Sequence, residues 1–561
     1  MENLRKSSGE ELADNLESEK DTVLSAFPPA ADVAGEGIGE VPVDLTPRTA
    51  NGALSYDISP HSPLLELFYR AVRNITPADF RSVPSARGPK EGTDGFTPRL
   101  ARAWEADPER TFRFLFHLRD CRGGRGEKRL FRVACGWLLP RPGGPEHLRA
   151  NLENIVHYGS WKDLLLIFLG TPLEADALGL FARQLRADLA LCAANSENSV
   201  ENNTVNTTPI SLCAKYAPSE GDAFDRKHRA AGKLARLLGL RKEAYRRKVL
   251  RPLRSRLALV EQKMCAGKWG EIDYSQVPSQ ASLLYKEAFA QQDGKRYLEY
   301  LGQVSRGEKK MNTGTLQAHQ IVESYLRNVS LAREEPDPAI EALWTSYIEE
   351  RKAKWPEGAS VLPLVDTSGS MSGMPITVAL ALGLTMINVC RCPGFERSWI
   401  NFSARPELFT APESSLHAQI FALVREEWGG NTDFQKVFEK ILERHRLNLE
   451  KGLKREIPKA LLVLSDMQFD SAGGGGTNWE EIERKFAACG LQRPGIIFWN
   501  LNGATKDCPV SSGSVERCVL LSGYSDSMLQ SLLSGKIPSP SEEMETTLSK
   551  YERVRLAGSP E

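Results

Sequence analysis

Between about positions 60 and 350, apolar residues recur at three- and four-residue intervals and strand-like alternation is scarce, which predicts a helical region. The clearest pair is TFRFLFHL (111–118) and EKRLFRVACGWLL (127–139), separated by the breaker RGGRG (122–126). In the second segment Leu130, Phe131, Ala134, Trp137 and Leu138 fall on one face, so a helical hairpin is the simplest result. Periodic runs continue at NLENIVHY, WKDLLLIFL, ALGLFARQLRADLALCA, AGKLARLLGL, RKVLRPLRSRLALVEQKM and YLEYLGQV. Stacked helix pairs would bury these stripes, and with no fixed repeat length both a solenoid and a compact bundle fit. The polar run NSENSVENNTVNTTP (195–209) predicts an exposed loop.

After about residue 355 the pattern changes to short apolar runs separated by helical ones. VLPLV (361–365), SWINFS (398–403), KALLVLSD (459–466), GIIFWN (495–500) and RCVLLSG (517–523) predict strands. Helices are predicted near 376–390, 433–446 and 478–489. Such alternation implies a doubly wound α/β domain with a mostly parallel sheet. The nearly all-round apolar helix at 376–390 fits a place between the sheet and a neighbouring domain. Pro363 conflicts with a central strand, because it removes a ladder hydrogen bond; a late start or a local irregularity is expected there.

A chain of 561 residues holds about two to four domains, and 41% apolar composition is ordinary for packed structure. Residues 1–50 carry eleven acids against four bases with few aromatics, a composition that predicts a disordered acidic tail. The expected organisation is that tail, a helical region over 51–350, an α/β domain over 355–535 and a flexible tail over 536–561. No basic, apolar leader opens the chain and no apolar run is long enough to span a bilayer. The expectation is a cytoplasmic protein, with the nucleus as the alternative, that does not engage a membrane. The ten cysteines stand singly apart from Cys390 and Cys392, so neither a disulfide frame nor a structural zinc is suggested.

Candidate chemistry begins at VLPLVDTSGSMSG (361–373), where Asp366 ends a strand and Ser368 and Ser370 follow at alternate positions. Ligands of doubly wound sheets sit beyond the carboxyl ends of the strands. A carboxylate with two hydroxyls offers hard oxygens that suit Mg²⁺, which takes about six oxygens at roughly 2.0 to 2.1 Å. GGNTDF (429–434) adds Thr432 ahead of a helix, and LLVLSDMQF ends a further strand at Asp466. A purely structural capped turn is the bland alternative. An aspartyl-phosphate phosphatase would need a second carboxylate at the position of Ser368, and a serine hydrolase would need Gly-x-Ser-x-Gly where GSMSG stands. The run GGGG (473–476) lacks a following Gly-Lys-Ser/Thr. The chain is therefore read as non-enzymatic.

These residues resemble the metal-ion-dependent adhesion site (MIDAS) of the von Willebrand factor A domain, D-x-S-x-S followed by a Thr and by an Asp after a later strand. The resemblance implies that Asp366, Ser368, Ser370, Thr432 and Asp466 hold a divalent cation completed by a partner's acidic group. That family commonly carries Gly where Met467 follows Asp466 here.

Local charge adds a second candidate. Residues 225–256 hold thirteen Lys or Arg against two acids although the whole chain balances at 72 of each sign. Such a surface could neutralise RNA phosphates, or serve as a solvated helical face. Arg241, Lys242, Arg246, Arg247, Lys248, Arg251 and Arg254 are the candidate contacts. RGGRG is read as a cap and turn in preference to an RNA-binding box. FRFLFHLRDCRGGRGEKRLFR, NLENIVHYGSWKDLL, SLCAKYAPSE and the segment from YRRKVLRPL to LLYKEAF resemble an uncharacterised family joining a TROVE-like helical region to a von Willebrand A-like domain. A more distant likeness is to the Ro autoantigen, whose HEAT-like helical repeats bind small RNAs. That kinship implies a ribonucleoprotein component holding structured RNA. A scaffold whose metal captures an acidic residue of another protein is the alternative.

Overall fold

The computed structural model describes residues 62–72, 95–201, 209–328, 335–403, 405–424, 434–453, 456–467, 478–502, 518–525 and 540–558. The acidic segment 1–50 and Thr432 lie outside them. Two compact units divide the chain, one formed by residues 1–75 and 274–545, the other by 76–273 and 546–561. The division expected near 350–355 is thus corrected: helices after residue 274 belong with the sheet, and the last residues belong with the other unit.

In the first unit six strands form one sheet: β1 Val361–Val365, β2 Ser398–Asn401, β3 Leu408–Thr410, β4 Ala460–Ser465, β5 Gly495–Asn500 and β6 Cys518–Ser522. Their order is β3-β2-β1-β4-β5-β6, parallel except for the antiparallel edge strand β3. Continuous burial along β1, β4, β5 and β6 explains their unbroken apolar runs. Strand order reverses between β1 and β4, the place where doubly wound sheets bind ligands. Pro363 is tolerated in a strand that starts on time: β1 pairs with β4 from Val361, but with β2 only from Leu364. The proline therefore sits beside the open end of the second ladder.

The Met374–Val389 helix is buried almost all round, against β1 and β4 on one side and the Ala318–Asn328 and Pro338–Lys354 helices on the other. Its neighbours thus come from its own compact unit. Gly383 permits the close approach, since a Cβ there would stand 2.8 Å from Val365 Cγ2.

The second unit is helical. Asp107 caps the Pro108–Arg119 helix by accepting from Arg110 N at 3.0 Å, with Pro108 pre-set for the first turn. The Lys128–Leu138 helix packs back on it, burying Leu130, Phe131, Ala134, Trp137 and Leu138 as the spacing predicts. Between them, a Cβ on Gly124 would lie 2.1 Å from His117 O, so the turn demands glycine. Arg125 is fully buried, which fits a turn, while Arg122 is exposed and donates to His157 O at 2.9 Å.

Two further expectations are corrected. The Glu174–Glu201 helix runs through the first residues of the predicted 195–209 loop, because propagation from a well-packed start outweighs local polarity. The expected flexible tail includes the Pro540–Ser549 helix and the buried residues Tyr551 and Val554. Asn151 Nδ2 donates to Arg555 O at 2.8 Å and Asn154 Nδ2 to Arg553 O at 3.1 Å, so side-chain amides hold the backbone of this segment.

Candidate functional site

The ladder positions the first acid. Asp366 N donates to Leu464 O at 3.0 Å, carrying β1–β4 pairing one residue past the strand and placing the carboxylate at the switch point. Asp366 is 1% exposed, and both oxygens have partners: Oδ2 accepts from Ser465 Oγ at 2.6 Å, Oδ1 from Ser368 N at 2.8 Å. The second bond folds an Asx turn that returns the chain, and Ser368 Oγ meets Ser370 Oγ at 3.1 Å. Buried Met371 anchors the loop, while Ser370 stays exposed. One carboxylate and two hydroxyls therefore share one short turn.

Asp466 follows β4 and is also 1% exposed. Burial pushes the Asp366 carboxyl up to about 6; bonds from Ser465 and Ser368 oppose this, and the like charge of Asp466 adds to it. Two mutually repelling carboxylates beside hydroxyls suit a divalent cation, whose charge would offset both. The donor set fits Mg²⁺ in type, with Asp366, Ser368, Ser370 and Asp466 available to hold it. Met467, at the position where the resembled motif commonly has glycine, has φ 70° and is fully buried. The backbone there is left-handed, a conformation that a side chain takes at some strain.

Sequence reasoning missed Ser465. Its hydroxyl also accepts from Met467 N at 3.1 Å, so one serine braces the acid of β1 and the loop after β4. The signal available was a serine at the last position of an otherwise apolar strand. β5 and β6 repeat it: Asn500 and Ser522 stand in register with Ser465 and are fully buried.

The basic candidates separate into two groups. From Lys242 to Arg256 the chain is a continuous helical path with a widened π-type turn at Arg246–Leu250, where Arg251 N–H reaches Arg246 O. Pro252 explains the widening, because it lacks an N–H and its ring crowds the preceding turn. Tyr245, Val249, Leu250 and Leu253 face inward. Arg241, Arg246, Arg247, Lys248 and Arg251 are exposed, and none pairs with a carboxylate among the described residues. Arg254 instead turns in, donating to Ala214 O at 2.8 Å, Ala217 O at 2.7 Å and Ser219 Oγ at 2.8 Å. Lys242 lies 3.6 Å from Asp225.

The profile of a family described as a domain of unknown function (DUF2828) matches residues 49–177 and 172–354, more than half of the chain. The chain belongs to this family. A second profile, also described as a domain of unknown function (DUF7788), matches residues 360–557, which take in the sheet. An uncharacterized protein of Acanthamoeba polyphaga mimivirus is 29% identical over 542 residues, spanning 90% of this chain and 87% of the viral one. The likeness to the viral protein therefore runs through both the helical and the α/β parts.

Proposed function

We propose that this member of the DUF2828 family is a non-enzymatic RNA-binding protein with a Mg²⁺ site of the MIDAS type. The observation that carries the reading is the exposed face of Arg241, Arg246, Arg247, Lys248 and Arg251, backed by buried apolar residues of the same helical path. Each cation on such a face can replace a counterion at a phosphate, so binding is sequence-tolerant and steeply salt-dependent. Likeness of the quoted helical segments to TROVE-like proteins supports RNA as the polyanion; the motif and the strand order support a von Willebrand A-like domain. Ultraviolet crosslinking of the native protein, with Arg246, Arg247 and Arg251 changed to Glu as control, tests the RNA reading.

Exposure of Ser370 favours a second reading, in which Asp366, Ser368, Ser370, Asp466 and Thr432 hold Mg²⁺ and a partner protein's carboxylate completes its shell. Calorimetric titration with Mg²⁺ tests the site: wild type binds the ion and Asp366→Ala does not. A partner retained equally well by Asp366→Ala or in chelator removes the scaffold reading.

A further inference from the structure

The Met374–Val389 helix ends where Cys390 N donates to Met386 O at 2.9 Å, and Cys390 itself has extended backbone, φ −75° and ψ 141°. Cys392 follows two residues on, outside any helix or strand. Cys390, Cys392 and Met386 all line one small cavity, together with Val361, Leu362 and Phe395. The centre of a water-sized sphere has about 10 Å³ there, room for a single small occupant. The cavity belongs to the amino-terminal half of β1, which contributes Val361 and Leu362, whereas the Asp366 site lies past that strand's carboxyl end.

We propose that Cys390, Cys392 and Met386 form a binding site for Cu(I). Two thiolates and a thioether are soft donors, the set that selects this ion, and Cu(I) is satisfied by two or three sulfurs. Zinc is a poorer occupant: it takes four ligands, and no group of three or more His, Cys, Asp or Glu suited to a metal occurs among the described residues. Arg397 also lines the cavity, its guanidinium held by Ala411 O at 3.3 Å and by Pro412 O, so a fixed positive charge stands ready to offset an anionic complex. On binding, two S–H bonds break, two Cu–thiolate bonds and one Cu–thioether bond form, and two protons leave for solvent; no atom changes oxidation state.

The test is anaerobic titration of the reduced full chain with Cu(I) against the chromophoric chelator bicinchoninate. Wild type is expected to withhold one Cu(I), with a sulfur-to-copper charge-transfer band in the ultraviolet. Cys392→Ser and the double variant Cys390→Ser/Cys392→Ser lose both, while Cys489→Ser, at an exposed thiol, keeps them. Met386→Leu, similar in volume and without sulfur, keeps the fold and binds Cu(I) more weakly. The proposal is overturned if wild type withholds no Cu(I), or if Cys392→Ser and Met386→Leu both withhold it as tightly as wild type.

Discussion

Ser465 Oγ donates to Asp366 Oδ2 at 2.6 Å, joining the last residue of β4 to the first residue beyond β1. Both groups are buried, so the hydroxyl fixes the orientation of the carboxylate that heads the candidate site. Ser465→Ala removes that bond and leaves a buried acceptor one partner short, at a cost of about 1–3 kcal/mol. Denaturant titration should register the loss, and Mg²⁺ calorimetry should show weaker binding with unchanged stoichiometry. Unchanged stability together with unchanged affinity would contradict the bracing role.

Arg119 and Asp163 form a buried ion pair at 2.6 Å, with Arg132 at 3.3 Å as a weaker second partner. Burial alone would raise the Asp163 pKa, but the two arginines and Ser160 hold it below the usual carboxylate value. A pKa depressed in the folded state stabilises above the unfolded value near about 4, and that stability is lost as pH falls through the folded one. Arg119→Met leaves the acid with Arg132 and Ser160 and should cost roughly 3 kcal/mol at pH 7, the low end for breaking a buried pair. The gap between wild type and variant should narrow below about pH 4, where protonation of Asp163 removes the uncompensated charge. Urea melts at both pH values check the sign.

Tyr551 OH donates to Asp120 Oδ2 at 2.9 Å and lies 3.3 Å from His117 Nδ1, with its ring against Tyr158. Tyr551→Phe keeps the ring and deletes the bond to a buried carboxylate, so about 1–3 kcal/mol should disappear from the helical unit. Val554 is fully buried just beyond, and removal of residues 550–561 should therefore destabilise more than the single substitution does. Equal melting of wild type and the truncated chain would show that this segment contributes nothing.

The five longer strands were legible because burial on both faces writes unbroken apolar runs. β3 was not, since three half-exposed or exposed residues at an edge leave no pattern. The Leu416–Val424 helix was also missed; it is short, and the side chain of Glu341, distant in sequence, accepts from Leu416 N and His417 N at its start. Asp366, Ser368 and Ser370 were legible because a single turn brings them together. The part played by Ser465 depends on strand pairing across about a hundred residues, which local spacing does not encode. Arg254 and Arg251 look alike in sequence, yet one caps carbonyls and the other faces solvent, a distinction set by helical phase at the widened turn. The division into units was hidden for a related reason: it rests on contacts between segments far apart in the chain.

RNA retention is tested most directly by fluorescence anisotropy of a labelled structured RNA with the full chain, across a series of salt concentrations. The account predicts that log affinity falls steeply and linearly with log salt, and that the triple change of Arg246, Arg247 and Arg251 to Glu abolishes binding while the melting temperature holds. Binding that ignores both salt and the triple change, or an absence of binding by the wild-type chain at low salt, would contradict it.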